Sequence, residues 1–192
     1  MSSSKEKILE CSKELFHLQG YQSTSIDNIL ESSGVTKSNL YYYFKSKEEL
    51  GLLILQSRIE EYEKALLTPT LGNKSLNPER RIKSYYNKLI SYHKKSDCIY
   101  GCPFGNLALE LSSSNEKFRD KISKFFEHWQ KQIELCIREG IKQKSFRDDI
   151  SPKALSQLIL SHTEGAILLT KTNRSIGALT TGSKTVIKLI NK

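Results

Sequence analysis

Thr36, Lys37, Ser38 and Asn39 stand in a row, and none of them is bulky. All four carry hydrogen-bonding side chains. At the first turn of a helix such a row can come close to a phosphate or a base edge, where unpaired N–H groups and the helix dipole favour an anion. Between Glu31 and Glu48 the only charges are Lys37, Lys45 and Lys47, so the row sits in a local positive field. Tyr41, Tyr42 and Tyr43 follow directly. Successive helical residues are about 100° apart, so the three rings point three ways. One is expected to pack inward with Leu40 and Phe44, and at least one to reach outward. This is the chemistry of polyanion binding.

The remaining reactive residues form no comparable constellation. Cys11, Cys98, Cys102 and Cys136 make no CxxC pair, and His17, His93, His128 and His162 make neither an HExxH nor a zinc-finger spacing. With no nucleophile–base pairing and no Gly-rich phosphate loop either, no catalytic residue, metal or cofactor is expected. The net charge of +9 over 192 residues agrees with a polyanionic partner but is a weak pointer alone. The basic tail from Lys171 to Lys192, with no acid after Glu164, reads as a solvated helix face. There is no charged-then-apolar N-terminal segment, and no apolar run reaches the roughly 18 residues of a membrane span. A soluble, cytoplasmic protein with free thiols and no membrane partner is therefore expected.

The elements that must position the row are helices. Ile8, Leu9, Ser12, Leu15 and Phe16 mark one buried face over 5–19, stopped by Gly20. Thr24, with Asp27 three residues on, gives a capping-box-like start to a short second helix that Gly34 ends. Thr36 caps a third over 37–44, and Ser46 a fourth reaching about Leu67. Two short helices joined by a tight Gly turn have helix-turn-helix dimensions, with the third helix in the reading position. The same spacing also suits an ordinary helix pair, so on spacing alone the two readings stay open. After a loop over 68–77, helices are expected over 78–95, 104–111, 114–144 and 152–172. A last one spans 175–190, its continuity weakened by Gly177 and Gly182. The fold class is all-α: a three-helix head over 1–46 and a larger helical-bundle body over 47–192.

The segment from Lys7 to Leu50 closely resembles the head of the tetracycline-repressor-like (TetR) family of regulators. The matching residues are Leu15-Phe16, Gly20-Tyr21, Thr24-Ser25-Ile26, Gly34-Val35, Thr36-Lys37, Leu40-Tyr41, Phe44 and Ser46-Lys47-Glu48 with Leu50. Ser38 stands where many relatives have Gly, and Leu30 and Ser33 where Ala is usual. The resemblance implies a DNA-binding transcriptional regulator, by family habit a repressor. It gives contact roles to Thr36, Lys37, Ser38, Asn39, Tyr41, Tyr42 and Lys47, joined by Thr24 and Ser25 at the start of the second helix. Lys37, Ser38 and Tyr42 are expected nearest the bases, Tyr41 and Lys47 on phosphates.

The resemblance further implies a body that binds a small-molecule effector and forms a homodimer through the last two helices. Pairing also meets a physical need. One short reading helix covers too few base pairs, and a palindromic double-stranded operator with half-sites about 34–36 Å apart is the usual solution. The expected pocket lining is Tyr62, Tyr86, His93, Cys102, Phe104, Asn106, Phe125, Trp129 and Ile167. Such a set suits a small hydrophobic or aromatic effector whose binding releases the protein from DNA. The run from Gly101 to Glu110 also resembles a Gly-Cys-x-x-x-Asn-Leu-Ala-x-Glu element of one subset of these regulators, some of which respond to electrophiles or oxidants. A thiol-based regulator acting through Cys102 is the alternative reading.

Overall fold

Each helix start has a local cause. In the structure, a computed structural model that describes residues 3–192, Ser3 and Glu6 form a reciprocal capping box that opens α1 (Ser4–Leu18). The next box differs from the expected one: Ser25, not Thr24, is the cap, and Asn28 answers it at the start of α2 (Ile26–Ser33). The reason is that the Thr24 hydroxyl is turned inward, donating to the Gly20 carbonyl at 2.7 Å. Gly34 then takes a left-handed φ of 64° and donates to the Leu30 carbonyl, which closes α2 and reverses the chain. Thr36 caps α3 (Lys37–Tyr43) through the amide of Asn39. Ser46 accepts from the amide of Glu49 at the start of α4 (Lys47–Tyr62), which widens into a π-helical turn at Glu63–Leu67.

Asn77 with Pro78 opens α5 (Pro78–Lys95). After a break containing Gly101 at φ 74°, α6 runs over Pro103–Leu111. The next helix starts two residues later than its expected Ser114, because Asn115 is the side chain that reaches the free amide of Phe118; α7 spans Glu116–Lys142. Ser151 and Pro152 open α8 (Pro152–Asn173). The last helix, α9 (Gly177–Ile190), is continuous through Gly182. The glycine is there for packing: a Cβ would collide with the ring of His162 on α8. An antiparallel bridge between Phe146 and Asn191 ties the chain's end to the loop after α7.

The chain folds as two compact units. The first holds the chain through Glu60 together with Pro103–Ile122. The expected head over 1–46 lies within it, joined there by most of α4, by α6 and by the start of α7. Its core is Ile8, Ile29, Val35, Leu40, Phe44, Leu50 and Ile54, with Leu15, Phe16, Leu30 and Tyr43 packed around them. The second unit holds Glu61–Cys102 and Ser123–Lys192. There α9 packs on α8 and α5, over a core that includes Tyr85, Tyr86, Trp129, Ile133, Ile159 and Ile167. The buried guanidinium of Arg81 bonds the Leu71 carbonyl and the Glu139 carboxylate, both at 2.7 Å, and so pins the loop before α5. A buried charge is tolerated only when paired in this way.

Candidate nucleic-acid interface

The reading row is built by burying one residue in four. Leu40 and Phe44 are fully buried in the head core, which fixes the rotation of α3 about its axis. That rotation turns Thr36, Lys37, Ser38 and Asn39 to solvent. The Thr36 Oγ1 accepts from the Asn39 amide at 3.3 Å and lies 3.1 Å from the Ser38 hydroxyl, so the first turn is internally braced. The three tyrosines divide as their spacing demands. Tyr43 packs against the core, while Tyr41 is 45% and Tyr42 80% exposed. The Tyr42 ring leans edge-on against Tyr43, centroids 5.0 Å apart, which steadies an otherwise unsupported side chain.

The flanking residues fall into two groups. Ser25 is exposed at the start of α2, where free amides and the dipole favour a phosphate. Thr24 is fully buried, its hydroxyl accepting from Gln19 Nε2 at 3.2 Å as well as donating to Gly20, so it shapes the turn from inside. Lys47 is half-buried, its Nζ 4.3 Å from the centre of the Tyr21 ring and 3.5 Å from the Gln22 carbonyl. Burial lowers its pKa, and the charge of Glu110 opposes that. Tyr21 has its phenol pushed up to about 12, chiefly by burial and then by Glu48.

Two family descriptions match this chain. One, for bacterial regulatory proteins of the tetR family, covers residues 8–52, and the other, the tetracyclin repressor-like C-terminal domain, covers residues 78–186. The chain belongs to the TetR family of transcriptional regulators. An HTH-type transcriptional regulator of the lacX 3' region in Lactococcus lactis subsp. lactis is 31% identical, over 93% of this chain and 89% of its own. The HTH-type transcriptional repressor DhaR of Mycobacterium sp. (strain GP1) is 29% identical, over 89% of this chain and 84% of its own. Among solved structures, a regulatory protein TetR from Rhodobacter sphaeroides has the same fold, with a TM-score of 0.90 over 98% of this chain and 100% of its own at 24% identity. The α2–α3 pair is thus the helix-turn-helix of a DNA-binding TetR-family regulator, whose relatives bear the names of regulators rather than enzymes.

The residues expected to line an effector pocket in this TetR-family regulator divide between the units. Phe104 and Asn106 belong to the first: Phe104 is buried, and Asn106 lines a small recess with Lys13, Phe16, Tyr21, Arg58 and Glu110. Tyr62, Tyr86, His93, Cys102, Phe125, Trp129 and Ile167 belong to the second. There Tyr62 packs on Trp129 at 5.0 Å and on Phe125 at 5.9 Å between ring centroids. Cys102, Phe125, Trp129, Tyr86, His93 and Ile167 are all buried. Residues that sequence reasoning missed join them. Tyr85 is buried and donates to Thr163 at 3.1 Å. His162 lies 3.1 Å from the Tyr86 hydroxyl. Glu164 bonds the Cys102 thiol, and burial pushes its carboxyl up to about 7. Tyr85 was legible as part of the apolar face of the helix over 78–95, and Glu164 as the last acid before a basic tail, but neither pointed to a pocket. Among the described residues no helix is long and apolar enough to cross a membrane.

Proposed function

We propose that this regulator is a repressor that binds a palindromic operator as a homodimer, reading each half-site with α3, and that a small hydrophobic or aromatic effector in the second unit releases it. The carrying observation is the outward row Thr36 to Asn39 with Tyr42 beside it, anchored through buried Leu40 and Phe44. Lys37, Ser38 and Tyr42 are assigned to base edges, Ser25, Tyr41 and Lys47 to phosphates. The dimer reading is supported by Leu158, Leu168 and Leu169 on α8 and Leu189 on α9, each about half exposed, and by Gly165, above which there is open space. Such apolar side chains on the last two helices suit a self-complementary interface.

The effector reading is supported by the aromatic core around Tyr62, Trp129 and Phe125. It is supported also by two buried atoms without hydrogen-bond partners, His93 Nδ1 and Glu164 Oε1. Unpaired buried polar atoms are what a ligand with complementary groups would satisfy. The test is titration of fluorescent DNA from the region flanking the coding sequence. Two protomers bound per fragment, weakened at least about fivefold by Lys37→Ala or Tyr42→Ala, are expected; affinity unchanged in both variants would sink the reading.

A second reading is favoured by one contact, the hydrogen bond from the Cys102 thiol to Glu164. The carboxylate is placed to take the thiol's proton as the sulfur attacks an electrophile, a thiol-based regulator in which Cys102 is the sensor. Mass spectrometry after mild N-ethylmaleimide or diamide treatment decides it. A Cys102 left unmodified while DNA is released would remove this reading.

A further inference from the structure

Asn106 and Glu110 stand four residues apart on α6, on one face of the helix, and in the first unit that face meets α1 and the turn after it. Glu110 makes the closest attachment. Its Oε2 accepts the backbone N–H of Gln22 at 2.9 Å, and its backbone carbonyl accepts from Gln22 Nε2 at 2.8 Å. Gly20 leaves room for this. Its φ is 91°, and a Cβ there would lie 2.9 Å from the Glu110 carboxylate. The chain between Gly20 and Ser25 is therefore held from both sides. Thr24 bonds it internally to Gly20, and Glu110 bonds it to α6. The same carboxylate bears electrostatically on Lys47, which reaches the carbonyl of the same Gln22. A second tie lies further along the segment, where Glu48 of α4 accepts from Asn115 and Lys117, each at 2.8 Å.

The Glu110 carboxylate lies at that turn, bonded to the Gln22 amide. What it holds is the turn that delivers Ser25 to the start of α2 and sets the surroundings of Lys47. We infer that Glu110 is a positioning residue for DNA binding, which holds the α1–α2 turn so that the start of α2 and Lys47 face the phosphates that flank the reading helix. The inference rests on the operator-binding reading above. Glu110 acts through Gln22 and touches no DNA itself.

The test compares Glu110→Ala, Glu110→Gln and the parent chain for affinity to the fluorescent DNA fragment used above, thermal midpoint and hydrogen exchange at the Gln22 amide. Glu110→Ala removes the acceptor. It is expected to weaken DNA binding about five- to twentyfold and to speed Gln22 exchange about tenfold or more. Glu110→Gln keeps an oxygen that can accept the same N–H and is expected within about threefold of the parent. Loss of binding in Ala with rescue in Gln is not what general destabilisation gives. Full affinity in a folded Glu110→Ala chain, or equal losses in Ala and Gln with Gln22 still protected, overturns the inference. Should Glu110→Ala not fold, Glu110→Asp takes its place; it draws the carboxylate back from the Gln22 N–H, and full affinity with Gln22 exchange accelerated overturns the inference. A parent chain that binds no DNA would instead remove the operator-binding reading itself.

Discussion

Replacing Glu164 by Gln should change how this protein's stability depends on pH. Burial raises the Glu164 carboxyl from its ordinary 4.5 to about 7, against the pull of the Cys102 thiol. A raised folded-state pKa means that folding is unhindered while the group is protonated in both states, below about 4.5. As pH rises through 7 the folded chain must hold a proton the unfolded chain has released, or else bury a charge, and stability is lost. At about 1.4 kcal/mol per pH unit the full loss is about 3 kcal/mol. Because Glu164 is half-buried rather than sealed, a loss of about 1–3 kcal/mol between pH 5 and pH 8 is expected. The buried histidines act with the opposite sign. Burial lowers His93 and His162, so their contribution is present above the ordinary imidazole value and is lost as pH falls through their depressed values. They are common to both proteins and cancel in the difference. The assay is urea unfolding of the parent and Glu164→Gln at pH 5, 6, 7 and 8, at one protomer concentration because dimerisation couples to stability. The variant should gain on the parent from pH 5 to about pH 7 and level off above that. A flat difference, or one that grows toward low pH, would refute the burial of the Glu164 carboxyl.

Four other outcomes follow from particular contacts. Tyr42→Ala, at an exposed site, should leave stability within about 0.5 kcal/mol while weakening operator binding by about 1–3 kcal/mol, read by melting and by DNA titration side by side. Lys47→Ala should lower the slope of log affinity against log salt by about one; an unchanged slope would mean that Lys47 neutralises no phosphate. Gly140→Ala should destabilise by about 1–3 kcal/mol, because the new Cβ meets the fully buried Phe146 ring, and chemical unfolding reads this directly. Leu168→Glu with Leu189→Glu should turn a dimer into a monomer in sedimentation; a persistent dimer would place the interface elsewhere.

The reading helix was legible because its determinants are local. A Gly turn, a Thr cap and the spacing of Leu40 and Phe44 set the position and rotation of α3, and the split of Tyr41, Tyr42 and Tyr43 into two exposed rings and one packed ring follows from helical spacing. Choosing Thr24 over Ser25 as the cap of α2 failed because both can cap, and what decides is a backbone carbonyl, that of Gly20, which the sequence does not display. Gly182 looked like a helix breaker because the reason for it lies on another helix, in the ring of His162. The division of Asn106 from Tyr62 and Trp129 was invisible for the same kind of reason: α6 joins the head unit through contacts 88 residues apart in the chain, Glu110 to Gln22. Long-range pairings leave no periodic mark.

The central claim, that α3 reads a palindrome as one half of a pair, is tested most directly by selecting bound fragments from a random DNA pool with the purified protein. The account predicts recovery of one inverted repeat with half-sites centred about 34–36 Å apart, lost when Lys37 and Tyr42 are both replaced by Ala. Recovery of only salt-sensitive, sequence-blind binding would contradict it, and would leave Thr36 to Asn39 as a general polyanion surface.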